Sequence, residues 1–166
     1  MHLDKRTFLT IAASLLFALL PGLAATANAE TFQQYQLQKQ GKAYELVRKT
    51  VAVPQLKDGE ILVKVHAASL NRRDIYVIQG LYRGPEANGK VPLSDGAGEV
   101  IATGSNVTRF SVGDRVAGTF FTNWSGGKFS TAALASARGG AVDGMLAELI
   151  VATEDSLVKI PAHLSY

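Results

Sequence analysis

A strict alternation runs through Ile61-Leu-Val-Lys-Val-His66. Ile61, Val63 and Val65 fall on one side of it, and Leu62, Lys64 and His66 on the other. A hydrophobic repeat of two belongs to a strand with one buried face, and this one follows the turn pair Asp58-Gly59. Tyr44 to Val51 reads as the strand before it, and Thr31 to Gln38 as a more polar edge strand. Gly98 to Ala102, Arg115 to Phe120, Leu146 to Ala152 and Leu157 to Ile160 are short, rich in β-branched residues and bounded by glycine or aspartate. Many short strands at near-even spacing predict a mainly β fold, a small barrel or sandwich. The Gly-, Ser- and Ala-rich stretch from Asn123 to Gly144 is expected as a long, mobile surface loop.

One helix interrupts the pattern. Asn71 is a favourable N-cap, Asp74 stands three residues on, and Gly80 can close the far end in a left-handed conformation. Ile75 and Ile78 are then expected to face the core, with Arg72, Tyr76 and Gln79 on another face. Local chemistry alone makes Asn71 a cap, Asp74 a complement to the helix dipole, and Arg72 and Arg73 solvated cations.

The first 29 residues have a different character. Lys5 and Arg6 precede an apolar run from Phe8 to Leu20, and Ala27-Asn28-Ala29 offers small residues for cleavage. Residues 1–29 therefore read as an export signal, too short before Pro21-Gly22 to span a bilayer comfortably and leaving no stable membrane anchor once removed. Lys5-Arg6-Thr7-Phe8-Leu9 resembles a twin-arginine motif with lysine in the first place; an ordinary secretory signal accounts for the same residues. A periplasmic or secreted protein is expected. Residues 30–166 are enough for one domain with a core. No basic cluster suggests nucleic acid. The absence of cysteine excludes disulfides, a thiolate metal site and a cysteine nucleophile.

Three ordered stretches carry a resemblance: DGEILVKVHAASLNRRDIYVIQGLY, VPLSDGAGEVIATGSNVTRFSVGDRVAG and DGMLAELIVATEDSLVKIPAHLS. Together they resemble the N-terminal, GroES-like half of a medium-chain dehydrogenase/reductase. The resemblance covers nearly all of residues 31–166. It implies a GroES-like, partly open β-barrel with one or two short helices, here preceded by an N-terminal signal helix. In the zinc-dependent alcohol dehydrogenases of that superfamily, a cysteine zinc ligand stands where this chain has Asn71, and a histidine ligand where it has Ser94. Neither replacement makes a zinc first shell. The pattern is similar to the zinc-free quinone oxidoreductase and enoyl reductase branches.

The resemblance implies hydride transfer from NADPH or NADH to a small-molecule quinone, enone or carbonyl, with no zinc. Hydrogen-bond donors must then steady the developing oxyanion. Asn71, Arg72, Asp74 and Tyr76 are the candidate catalytic residues, with Arg72 or Arg73 as the cationic neighbour of Asn71, and Tyr82, Ser94 and Asp95 the candidate pocket residues. The neutral phenol of tyrosine, with a pKa of about 10, is a usable donor at neutral pH. Each has an alternative local role: Asn71 as cap, Ser94-Asp95-Gly96 as a turn, Asp95 as a partner for a helix arginine. His66, His163, Asp114 and Arg115 read as structural or solvent-facing.

The superfamily needs a second, doubly wound domain with a Gly-x-Gly-x-x-Gly turn for the dinucleotide. Gly96-Ala97-Gly98 lacks the third glycine and leads into a strand, so it is rejected as that turn. No cofactor-binding residue is assigned in this chain, and the nucleotide-binding domain is expected to be absent from it. Three arrangements follow: part of an exported NADPH-dependent reductase, inactive without the second domain; a stand-alone GroES-like binding module; or a chain that meets its second domain as a separate polypeptide. A homo-oligomer is compatible with each.

Overall fold

The computed structural model describes residues 30–166, and the segment read as an export signal lies outside them. Seven strands form two antiparallel sheets. Strands β1 (Thr31–Gln40) and β2 (Ala43–Ala52) make a long hairpin. Strands β3 (Glu60–Ser69), β4 (Asp95–Thr103), β5 (Arg115–Gly118), β6 (Leu149–Thr153) and β7 (Leu157–Lys159) make a five-stranded sheet in the order β6-β3-β4-β5-β7. The hairpin docks beside β6: Tyr35 N–H donates to the Leu146 carbonyl (3.0 Å) and Glu148 N–H to the Gln33 carbonyl (2.9 Å). The sheets do not close on each other, so the fold is a partly open barrel, mainly β with two short helices.

The alternation read from the sequence sets the core. Ile61, Val63, Val100, Val116, Ile150 and Leu157 are buried together and enclose Met145 and Phe110. Burying each such aliphatic side chain contributes about 1.5–3 kcal/mol. A second, smaller cluster of Leu37, Val77 and Ala87 fixes the helix against the hairpin. β4 lies so close to β3 that a Cβ on Gly98 would stand 2.1 Å from the Lys64 carbonyl oxygen. That close approach explains the glycine, and Gly96 to Gly98 are strand residues throughout.

Several expectations need correction. Helix α1 spans Arg72–Ile78, and Gly80 follows it at φ 68°; Ile78 packs against the Leu37 cluster as expected, but the buried residues are Asp74 and Val77. Ile75 is 56 % exposed, because the helix turns a polar residue inward at the end of the sheet. Ser94-Asp95-Gly96 is no turn: Asp95 and Gly96 already pair with Ser69 and Ala68 as the start of β4. β5 ends at Gly118, short of Phe120, and β6 begins at Leu149, since Leu146 and Ala147 pair with the hairpin and Glu148 bridges the hairpin and β3.

The stretch from Asn123 to Gly144 is only half a surface loop. It carries a second short helix, α2 (Thr131–Leu134), and then turns inward, burying Ser136, Ala137 and Arg138. Glycine and alanine serve there to let backbone pass through the interior.

Candidate functional site

The β3–β4 pairing brings the candidate residues to one end of the sheet. Ser69 is in register with Asp95, so the chain leaving β3 toward Asn71 meets the chain entering β4. Asn71 holds the N-cap position in an extended conformation, φ −115° and ψ 155°. Its backbone N–H donates to Asp74 Oδ2 at 2.8 Å, the reach-back arm of a capping box. Its side-chain NH2 donates to Asp95 Oδ2 at 2.5 Å, and the same oxygen accepts from Ser94 Oγ–H at 3.0 Å. A carboxylate offers only acceptors, so this bond fixes which way the amide points. Asn71 is thus both helix start and one arm of a polar network. Asp95 holds Asn71 and Ser94, in place of the helix arginine expected for it.

Asp74 lies beneath this network, 4 % exposed. Its Oδ1 is buried and has no hydrogen-bond partner. Burial pushes the Asp74 carboxyl above the ordinary aspartate range; the Asn71 N–H and the charge of Arg73 pull the other way, and Asp95 adds to the rise. Beside it opens an apolar cavity of about 400 Å³, whose walls include Leu70, Asn71, Ile75, Leu93 and Leu146.

The other candidates fall into two separate groups. Arg72 Nε donates to Tyr76 Oη at 3.0 Å, four residues on along one helix face, which leaves the phenol O–H of Tyr76 free to donate outward. Tyr82 stacks over Arg73, 4.4 Å from ring centroid to guanidinium carbon, and lines a different groove with it. Ser94, only 2 % exposed, braces Asp95 and is buried away from any ligand. So Asn71, Asp74, Ser94 and Asp95 share one network, whereas Tyr76 and Tyr82 flank it.

Two residues of the site region carry more than the sequence reading gave them. Arg73 spans from α1 to the 138–140 backbone, donating Nη1–H to the Arg138 carbonyl at 3.0 Å. Arg138, 3 % exposed, donates to the carbonyls of Thr119 (3.3 Å), Asp143 (3.5 Å) and Ser156 (3.5 Å). Burial lowers its pKa from the usual arginine value, against the favourable charge of Asp143. A lone arginine in Ala-Leu-Ala-Ser-Ala-Arg-Gly-Gly-Ala was the available signal, since small residues on both sides leave a long side chain room to turn inward.

His66 is exposed and stacked on Tyr166 with ring centroids 4.5 Å apart, and Asp114 pairs with Lys159 at 2.8 Å. Among the described residues, no group of three or more His, Cys, Asp or Glu side chains is placed to hold a metal. The donors at the Asn71 and Ser94 positions, an amide and a buried hydroxyl, do not fit a zinc first shell.

The alcohol dehydrogenase GroES-like domain family matches residues 57–162, and the chain belongs to that family, within the medium-chain dehydrogenase/reductase superfamily. It is 44 % identical over 115 residues to a zinc-type alcohol dehydrogenase-like protein of Schizosaccharomyces pombe, a match covering 69 % of this chain and 33 % of that one. It is 32 % identical over 120 residues to human quinone oxidoreductase, covering 72 % and 30 %. Among solved structures, an oxidoreductase from Salmonella enterica in complex with NADP superposes with a TM-score of 0.62 at 29 % identity, over 80 % of this chain and 36 % of that one. The quinone oxidoreductase from Coxiella burnetii gives 0.61 at 25 %, over 82 % and 39 %. The chain spans about a third of the length of the curated relatives it matches.

Proposed function

We propose that this chain is the substrate-side half of an NADPH- or NADH-dependent, zinc-independent reductase that transfers hydride to a quinone, enone or carbonyl. The observation that carries the reading is the Asn71 network. Asp95 takes one N–H of the Asn71 amide and fixes its plane, so the second N–H is a pre-oriented donor for an oxyanion. Tyr76, whose oxygen already accepts from Arg72, offers a second donor through its own O–H. Tyr82 walls the approach on the far side of α1.

The nicotinamide cofactor supplies the hydride when bound. Gly96 and Gly98 pack β4 against Met145 and Lys64 and are not a dinucleotide turn; we assign the dinucleotide site to a separate nucleotide-binding portion. Leu70, 83 % exposed, and Ile75 border the Asn71 cavity and suit a face that such a portion covers. Quinone oxidoreductases among the relatives support the substrate class. Residues 1–29 support export, as a cleaved signal.

The reading is tested on the native protein purified from the cell envelope. NADPH oxidation that depends on an added quinone or enone, and is indifferent to chelators, is the expected result. No oxidation with any such acceptor would favour the alternative, a GroES-like binding module without catalysis. An N-terminal sequence starting at Glu30 tests export separately; material starting at Met1 would contradict it.

A further inference from the structure

Arg73 does not line the Asn71 cavity, yet its surroundings are those of a held ligand-binding group. One nitrogen, Nη1, is committed to the Arg138 carbonyl at 3.0 Å. Two aromatic rings flank the guanidinium, Tyr82 at 4.4 Å and Phe120 at 5.0 Å from ring centroid to guanidinium carbon. The remaining donors, Nε and Nη2, are shielded from water and meet no acceptor. Those two N–H groups share one edge of the planar guanidinium. That is the edge that grips a carboxylate or phosphate through two parallel hydrogen bonds. A buried charged donor left without an acceptor is destabilising, and an incoming anion would satisfy it.

The neighbouring groove fits such an anion. It has a volume of about 410 Å³ and runs between the β1–β2 turn, the end of α1 and the backbone at 137–141. Lys42 and Arg83 stand on its walls with Arg73, and among the described residues no carboxylate pairs with any of the three. Its one acid, Glu86, is taken by Lys39 at 2.6 Å. Tyr44, Val77, Leu134 and Ala137 add apolar lining. Tyr82, 37 % exposed, lies over one face of the Arg73 guanidinium and leaves its edge uncapped by any side-chain acceptor.

The geometry points to a binding site for an organic anion: a carboxylate or phosphate head on the Nε–Nη2 edge of Arg73, an apolar body along Val77 and Leu134, and Lys42 and Arg83 steering it in.

The test is calorimetric titration of the chain at low salt with benzoate, phenyl phosphate and neutral benzamide. Saturable binding of benzoate or phenyl phosphate is expected, at least tenfold tighter than benzamide; the tighter of the two anions identifies the head group. Arg73→Met should abolish the preference for anions. Gly140→Ala should weaken anion binding several-fold without removing any hydrogen bond of Arg73, because the new methyl would stand 2.9 Å from Nη2. Near-UV circular dichroism checks that both variants remain folded. Equal binding of benzamide and benzoate would overturn the inference, as would wild-type anion affinity in both variants or no saturation with either anion. No turnover enters this test. Lost anion binding alongside intact NADPH-dependent reduction by the native protein removes the anion site alone, and anion binding without reduction removes the reductase reading alone.

Discussion

The β3–β4 pair and the segment from Ala133 to Met145 both line the interior, but they are held there by different means. The strands satisfy one another's backbone groups through a ladder and turn alternate side chains into the core. The segment has one short helix and otherwise irregular backbone, and an irregular buried chain must find its hydrogen bonds elsewhere. Neighbouring loop backbone supplies many of them, as where Arg138 N–H donates to the Phe120 carbonyl (2.8 Å) and Gly144 N–H to that of Val91 (2.7 Å), and the Arg138 side chain ties the segment to its surroundings. Its guanidinium gathers carbonyls from Thr119, Asp143 and Ser156, while its own carbonyl accepts from Arg73. Periodic side chains build one wall; irregular backbone pairing, tied down by two arginines, builds the other.

Substitutions can break each wall separately. Gly98→Val should have the largest effect, since its Cβ would stand 2.1 Å from the Lys64 carbonyl oxygen and force the strands apart. A loss of about 4 kcal/mol or more is expected in urea unfolding, or no folded protein at all. Leu157→Ala, in the same core and 1 % exposed, should cost about 2–5 kcal/mol. Arg138→Met should cost less, about 1–3 kcal/mol, because it strands carbonyls while removing a buried charge. Its signature is local: amide exchange should quicken from Ala133 to Met145 while β3 and β4 stay protected. Equal loss of protection in both regions would show that the two walls are one cooperative unit.

Asp74→Asn should change stability least and its pH dependence most clearly. Burial raises the folded-state pKa of Asp74 above the unfolded value. Between the two values the folded protein holds the extra proton, so stability is greatest at low pH and falls as pH rises through that window. The variant should flatten this fall in unfolding curves collected from about pH 3 to pH 7. An unchanged slope would mean that another group carries it.

The legible parts of the fold were those with a period. Ile61, Val63 and Val65 announced β3 and its buried face, and Asn71 with Gly80 marked the ends of α1. Of the helix's inward face, Ile78 was legible but Ile75 was not, because Asp74 is buried by its bond to Asn71 and by the sheet end, neither of which hydrophobicity records. The segment from Asn123 to Gly144 was misread for a related reason: small residues mark a flexible surface loop and a tightly packed interior passage equally well. Of the site, Asn71 and Asp95 were legible as neighbours only through the family resemblance, since the contact between them depends on the β3–β4 register. The inward turn of Arg73 and Arg138 was hardly legible, the small residues around Arg138 being the one hint. Their hydrogen-bond partners are backbone carbonyls, which have no residue-type signature.

The most direct test of the account is steady-state NADPH oxidation with a quinone acceptor by the native protein and its Asn71→Ala variant. A donor that serves the oxyanion should lower kcat by about 10²–10³ when removed, with the variant still folded by near-UV circular dichroism. Unchanged kcat in Asn71→Ala would contradict the central claim and return Asn71 to being the start of a helix.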